Sequence, residues 1–185
     1  MIRPIYVYGS KVLREIAKPA DLGKVEEIRQ LVGDLWETLA ASDGCGLAAP
    51  QIGESVRVVV VNGDVMSDVY PYLKGFKRTF VNPVILESSE ETATYNEGCL
   101  SVPGVYCDVV RPKKIKVEYY DGDLEKKVEE FDNFSARMVE HEFSHLDGVL
   151  FTDLVAPIRR KLVAKKLQKI SAGRTPAAYK TKLVK

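Results

Sequence analysis

The sequence lacks several features that define other classes of protein. Its apolar runs fall far short of the roughly 20 residues that a membrane-spanning helix needs, so we expect no membrane attachment. The amino-terminal segment has neither the apolar core of a signal peptide nor the arginine-rich pattern of a transit peptide. Its three cysteines stand in no disulfide-like spacing, which indicates a reducing compartment. We therefore expect a cytoplasmic protein.

Acidic residues are absent from one end of the chain. Residues 157–185 contain ten Lys or Arg and no Asp or Glu, whereas residues 1–156 carry the other 17 basic and all 26 acidic residues, a net charge of −9. A basic tail on an acidic body favours a polyanionic partner, although a solvated basic helix explains the pattern equally well. We expect a single catalytic domain over residues 1–171 and a loosely ordered basic tail over residues 172–185.

The spacing of apolar residues predicts an α+β fold. Three- and four-residue spacing predicts helices over 25–41 and 158–170, and in the second helix Ile158, Leu162 and Leu167 should pack on the body. Ser135 should cap a third helix that ends near residues 147–148. Strands are expected over 57–61, 79–86 with a bulge or a sheet edge at Pro83, 90–95, 105–110, 114–120 and after the hairpin signal Asp121-Gly122. The expected architecture is largely antiparallel sheets packed around the third helix, with an N-terminal and a C-terminal helix.

The only two histidines stand four residues apart, in the segment His141-Glu142-Phe143-Ser144-His145. Residues at this spacing share one face of a helix, so both imidazoles can bind one metal ion while Glu142 reaches a water beside it. Two randomly placed histidines would fall four apart roughly one time in a hundred, before the glutamate is required. The segment therefore predicts a metal centre of the HExxH kind.

A divalent metal with two histidine ligands needs a third protein ligand. No histidine follows His145, and Asp147 lies too close along the helix to bind the same ion easily. Cys99 follows Gly98 in a turn between two expected strands, where its sulfur and a neighbouring N–H can face one point. A buried, unreactive thiol is the commoner fate of a free cysteine. On the residues alone, Cys99 is a candidate ligand and no more.

Three segments together resemble the peptide deformylase family, in matching order and separation: Gly44-Cys45-Gly46-Leu47-Ala48-Ala49-Pro50-Gln51, Glu97-Gly98-Cys99-Leu100-Ser101 and His141-Glu142-Phe143-Ser144-His145-Leu146-Asp147-Gly148. The chain departs from the family at three positions. Glu140 stands where the family usually has Gln, Ser144 where it has Asp, and Cys45 where it has an aliphatic residue. The first two departures leave the reaction in place but put metal affinity in doubt.

The resemblance implies an enzyme that removes the formyl group from the N-terminal formylmethionine of new proteins. Separately, we expect a monomer. It implies Cys99, His141 and His145 as the ligands of Fe²⁺, with Zn²⁺, Ni²⁺ or Co²⁺ able to replace it, although these ligands alone would suggest zinc. Glu142 would transfer the proton. The side-chain amide of Gln51 and the backbone N–H of Leu100 would stabilise the developing oxyanion. The nascent substrate makes ribosomal RNA the expected partner of the basic tail.

Substrate-binding candidates lie near these residues: Gly44, Cys45, Gly46, Tyr95, Glu97, Phe134 and Met138. The two glycines let the backbone approach the substrate closely, and the apolar members suit a methionine side chain. Ordinary core packing explains each apolar member equally well. One rival hypothesis is an HExxH endopeptidase, which would leave Cys99 unexplained. The other is a closed, non-catalytic site with Cys45 or Cys107 as its fourth ligand.

Overall fold

The computed structural model describes residues 1–175 and 177–185. Its helices are α1 (Val25–Ala40), α2 (Asn133–Leu146) and α3 (Pro157–Ser171). Its strands are β1 (Ile5–Tyr6), β2 (Gly46–Ala48), β3 (Val58–Asn62), β4 (Lys77–Ser88), β5 (Thr92–Glu97), β6 (Cys107–Pro112), β7 (Lys114–Tyr120), β8 (Lys126–Asp132) and β9 (Thr181–Lys182).

The strands form one large antiparallel sheet and two small pairs. The large sheet has the order β2-β3-β4-β7-β8, β5 pairs antiparallel with β6, and β1 pairs parallel with β9. The prediction of an α+β fold with largely antiparallel sheets is confirmed. The predicted hairpin joins β7 to β8 around Asp121 and Gly122.

The bulge predicted at Pro83 is present in β4. Proline has no N–H to donate to the neighbouring strand, and the pairing of β4 with β7 shifts register between Val81 and Val84. Asn82 there has a positive φ of 50°. Its side chain bonds both backbone groups of Ala20, accepting from the N–H at 2.7 Å and donating to the carbonyl at 2.9 Å. The bulge thus fastens the amino-terminal segment to the sheet.

The core lies on both faces of the large sheet because all four valines of β3 are buried. Val59 and Val61 pack in a cluster with Met138, Val139 and Phe143 of α2. Val58 and Val60 pack in a second cluster, with apolar residues of α1. Helix α2 also contacts β6, β7 and β8. The sheet therefore holds α1 on one side and α2 on the other.

Helix α2 begins three residues earlier than the sequence indicates. Its N-cap is Asp132, whereas Ser135 lies within the first turn. The Ser135 hydroxyl donates to the Asp132 carbonyl at 2.7 Å and accepts from the Asp132 N–H at 3.2 Å. The prediction that Ser135 caps the helix was wrong, because a serine that bonds back to the cap from the first turn resembles a capping serine in sequence.

Helix α3 packs through a different face from the predicted one. Leu167 and Ile170 are buried and Val163 packs beside them, but Ile158 is 71% exposed and Leu162 69% exposed. The prediction that Ile158 and Leu162 pack on the body was wrong. Leu167 packs as predicted, on one face with Val163 and Ile170, whereas Ile158 and Leu162 lie on another face and stay in solvent.

The carboxy-terminal residues pair with the amino terminus. The backbone N–H of Ile5 donates to the carbonyl of Lys180 at 2.8 Å, and that of Val7 donates to the carbonyl of Lys182 at 3.0 Å. Leu183 packs on the core cluster that contains Val7 and Ile170. Loose order was expected here, but these described residues have defined partners.

No helix in the described part of the chain is long and apolar enough to cross a membrane.

Candidate metal centre

Cys99, His141 and His145 lie together although the cysteine is far from the histidines in sequence. One ligand atom from each lies within 4.8 Å of the others. The Cys99 sulfur is 3.3 Å from Nε2 of His145. Helix α2 supplies both imidazoles, and the turn after β5 supplies the thiol. Three soft or borderline donors around one point form a set that suits a divalent transition metal.

The surroundings of both imidazoles suit metal binding. The Nδ1 of His141 lies 2.7 Å from a carboxylate oxygen of Glu97, which leaves Nε2 for a metal. Carboxylate partners of this kind orient the ligating histidines of many metal sites. Burial holds the pKa of His145 well below its usual value, so its ring is the neutral form that binds metal. The residues present therefore fit a single divalent metal.

A buried charge network surrounds the glutamate behind His141. Glu97 accepts from Arg111 at 2.8 and 3.0 Å and from Arg137 at 2.6 Å. Burial alone would raise the pKa of Glu97, but the hydrogen bonds from His141 and Arg111 outweigh it and hold the pKa well below its usual range. Arg111 also donates to the Ser144 hydroxyl at 2.8 Å. Glu97 thus stays ionised and fixes the His141 ring.

Glu142 lies beside the cluster without a fixed partner. It is buried, and its Oε2 has no hydrogen-bond partner among the described residues. Burial raises its pKa to about 7, against the opposing effect of His141. A carboxyl whose pKa is near neutrality can both accept and release a proton, as a general acid–base must. The geometry suits Glu142 to proton transfer at the cluster.

Gln51 and Leu100 border the same point from another side. Gln51 is fixed by a bond from the Ala48 N–H to its Oε1 at 2.8 Å, and its Nε2 donates to the Ser101 hydroxyl at 3.1 Å. The same Nε2 lies 3.6 Å from the Cys99 sulfur. Leu100 follows Cys99 directly, so its backbone is tied to the position of the ligand. Both are placed beside the metal cluster, as the family resemblance requires.

The cluster opens into a cavity of about 530 Å³. Six of the seven substrate-binding candidates line it: Gly44, Cys45, Gly46, Glu97, Phe134 and Met138. Tyr95 instead packs behind the wall, with its ring 5.3 Å from that of Phe134. Cys107 is buried in the core cluster that also contains Val105 and Val109. Neither Cys107 nor Cys45 belongs to the group formed by Cys99, His141 and His145. Within the described residues, neither extra thiol closes the site.

Several lining residues were missed by the sequence analysis. They come from distant segments and include Val65, Met66, Tyr106, Ala177, Ala178 and Tyr179. No local pattern marks them, because the fold alone brings them together. Arg137 had a usable signal, since it lies one helical turn before His141 and so shares its face.

Gly46 is required because the backbone of β2 runs against Glu142. A methyl group at position 46 would lie 2.5 Å from Oε1 of Glu142 and 2.7 Å from its Cδ and Cγ. Gly46→Ala therefore must displace the carboxylate. We expect kcat to fall by about 10²-fold, because a displacement of roughly 1 Å in a catalytic group can lower the rate by that factor.

The matched control is Gly33→Ala in the middle of α1, where a methyl group would meet no atom within 4 Å. It should keep full kcat and raise the melting temperature by about 2–4 °C, because alanine stabilises a helix interior by about 1 kcal/mol relative to glycine. Initial rates and thermal melts of both variants test this. Full activity in Gly46→Ala would show that the close approach to Glu142 does not matter.

The fold and the three grouped side chains are those of a metal-dependent hydrolase: three side chains that can hold one ion, a neighbouring carboxyl and a cavity that opens on them. The polypeptide deformylase family model matches residues 2–161. The peptide deformylase of Cytophaga hutchinsonii is 40% identical over 98% of this chain and 97% of its own length. That of Flavobacterium psychrophilum is 39% identical over 100% and 98%. A crystal structure of a peptide deformylase from Legionella pneumophila superposes with a TM-score of 0.81 at 35% identity, covering 95% and 100% of the two chains.

The chain belongs to the polypeptide deformylase family. Its reaction is the removal of the N-formyl group from newly made proteins. The family is metal-dependent, and this chain has a cluster that can hold a metal ion.

Proposed function

We propose that this chain hydrolyses the formyl group of N-terminal formylmethionine with one Fe²⁺ ion held by Cys99, His141 and His145. The observation that carries the proposal is the convergence of these three donors at one end of a cavity. When bound there, the metal supplies a Lewis acid that acidifies water and polarises the formyl carbonyl. Zn²⁺, Ni²⁺ and Co²⁺ suit the same donors and should also support turnover.

Glu142 is the proposed general acid–base. It takes a proton from the water that attacks the formyl carbon, and it delivers that proton to the amine nitrogen as the C–N bond breaks. The products are formate and a peptide with a free N-terminus. The support for this role is that Glu142 is buried beside the cluster with one carboxylate oxygen free of other partners.

Gln51 and Leu100 are the proposed oxyanion donors. The tetrahedral intermediate places negative charge on the former formyl oxygen, and fixed donors stabilise that charge more than they stabilise the ground state. The Gln51 amide is already held by Ala48 and Ser101, so it needs little reorganisation. The backbone N–H of Leu100 is the second donor.

The methionine side chain is proposed to occupy the part of the cavity near Phe134, Met138 and Cys45, with Gly44 and Gly46 leaving room for the peptide backbone. Tyr95 supports Phe134 from behind, and Glu97 acts through His141. Gly44 lies against the Leu100 side chain and Gly46 against Glu142, so the space beside them is small and selects the formyl group. Recognition beyond methionine should be weak, because it depends mostly on backbone pairing.

The test is formate release from formyl-Met-Ala-Ser by anaerobically purified protein, with metal analysis of the same sample. We expect about one metal per chain, rapid release from the formyl-peptide and slower release from an acetyl-peptide. Cleavage of an internal bond in a blocked peptide, without formate release, would instead support the HExxH endopeptidase.

We further propose that this deformylase acts in the cytoplasm as a monomer and docks near its nascent substrate through ribosomal RNA. Lys161, Lys165 and Lys169 lie at successive turns of α3 and are exposed. A row of cations of this kind suits RNA phosphate, and binding through it should weaken steeply with salt. Docking would present each emerging N-terminus at high effective concentration.

Ribosome co-sedimentation across a salt series tests this docking. The triple variant Lys161→Glu, Lys165→Glu and Lys169→Glu should pellet far less at low salt but keep its turnover of a short formyl-peptide. The matched triple Lys18→Glu, Lys74→Glu and Lys77→Glu changes the net charge equally at other exposed positions and should still pellet. Equal loss in both triples would mean that only net charge matters, and the α3 site would be abandoned.

A further inference from the structure

The carboxy-terminal segment reaches the metal centre although its sequence carries no catalytic motif. Ala177, Ala178 and Tyr179 line the same cavity as Cys99 and Glu142. Tyr179 is half-buried, and its side chain packs with the cluster that contains Leu100 and Leu47. This segment therefore forms part of the wall that a bound peptide would meet.

The Tyr179 hydroxyl donates a hydrogen bond to the backbone carbonyl of Leu100 at 2.8 Å. The N–H of that same residue is the proposed oxyanion donor, and the preceding residue is the ligand Cys99. A bond to this carbonyl fixes the peptide plane that joins Leu100 to Ser101, which is linked through the Leu100 Cα to the plane that carries the N–H, and so restrains the loop next to Cys99. Tyr179 thus holds the backbone of the loop without reaching the reacting atoms.

The following residue of the loop is held in the same way. The Ser101 carbonyl accepts from the Tyr8 N–H at 2.8 Å, and its hydroxyl accepts from Gln51. Tyr8 follows β1, and β1 pairs with β9 just beyond Tyr179. The two ends of the described chain thus meet beside the loop, and each donates one hydrogen bond to a successive loop carbonyl.

The segment that carries Tyr179 is itself anchored. Beyond Tyr179, the backbone N–H of Lys11 donates to the Val184 carbonyl at 3.0 Å, and the backbone N–H of Val184 donates to the Ser10 hydroxyl at 3.2 Å. Leu183 packs into the core cluster beside Val7. These contacts fix the backbone on the carboxy-terminal side of Tyr179, so its hydroxyl has a defined position from which to hold Leu100.

We propose that Tyr179 is a positioning residue for deformylation, which holds the Leu100 peptide in the orientation that stabilises the oxyanion. The proposal rests on the proposed function of Leu100. Because the hydroxyl acts on the loop and not on the methionine side chain, its loss should lower kcat and leave KM nearly unchanged. Ala177 and Ala178 form the part of the cavity wall next to Tyr179.

The test compares metal-loaded Tyr179→Phe with Tyr119→Phe. Both changes delete one hydroxyl donor, since Tyr119 donates to Glu129 at 2.7 Å on the large sheet, away from the cavity. Tyr179→Phe should lower kcat about five-fold, the equivalent of one hydrogen bond of about 1 kcal/mol, with KM within about two-fold and metal content unchanged. Tyr119→Phe should keep kcat.

Hydrogen exchange supplies a readout independent of turnover. The backbone amides of residues 98–102 should exchange faster in Tyr179→Phe than in the unmodified protein, and at the same rate in Tyr119→Phe. An unchanged kcat, unchanged exchange in the loop, or an equal fall of kcat in both variants would overturn the proposal. If the unmodified protein releases no formate, the proposed function fails, whereas the exchange measurement still reports on the contact itself.

Discussion

Glu142→Ala is expected to lower kcat by roughly 10³-fold or more while the protein keeps about one metal per chain. The carboxylate is the group beside the cluster that can carry the proton from water to the amine, and it is not one of the three metal ligands. Burial keeps its pKa near 7, which places it within reach of both protonation states. Steady-state formate release and metal analysis on the same preparation measure the two quantities separately.

The matched control for this variant is Glu140→Gln on the same helix. Glu140 is also buried, and burial raises its pKa to about 7 as well, but it does not line the cavity. It should keep most of its turnover, because the change removes a carboxylate that does not face the substrate. Loss of metal together with activity in Glu142→Ala would show that Glu142 is a ligand and that its assignment to proton transfer is wrong.

Cys99→Ala is expected to lose tightly held metal and activity together. Two imidazoles alone leave the metal short of one protein ligand, and loss of even a hydrogen-bonding neighbour of a ligand costs about 10–100-fold in affinity or activity. We therefore expect a fall in turnover of at least about 10²-fold, with metal content far below one per chain after dialysis against a chelator. Metal analysis and formate release measure both.

Cys107→Ala is the control, since this thiol is buried, does not line the cavity and is not among the three grouped side chains. It should keep its metal and most of its activity, at a modest cost in stability from the smaller side chain. A Cys99→Ala variant that still binds one metal per chain and turns over normally would refute the three-ligand centre.

The part of the site that sequence predicts best is the part that lies on one helix. His141, Glu142 and His145 follow from helical spacing alone, because residues four apart must share a face. Cys99 needed the family resemblance, since no local periodicity links a turn after β5 to a helix in a later part of the chain. Arg111 on β6 and Glu97 on β5 lie on paired strands, but Arg111 stands opposite Ala93 and its long side chain reaches Glu97 across that offset. Nothing in the sequence indicates this contact.

The wrong or missing predictions about the fold also have physical causes. Ile158 and Leu162 form an apolar stripe, but the face of α3 that packs is the one carrying Leu167 and Ile170. When a helix carries apolar residues on more than one face, the sequence does not show which of those faces touches the body. Strand β9 has only two residues, too few to give an alternating pattern, so its pairing with β1 could not be read from its composition.

The meeting of the two chain ends beside the loop also has a consequence for how the enzyme acquires activity. Ser10 and Val184, which flank the β1–β9 pair, are 174 positions apart along the chain. Contacts of such separation carry a large loop-closure entropy and form late, after the local hairpins and helices. The secondary structure can thus be complete while Leu100 still lacks its anchor. Refolding should therefore restore circular dichroism before it restores catalysis, because the contact between Ser10 and Val184 is expected to form after the local hairpins and helices.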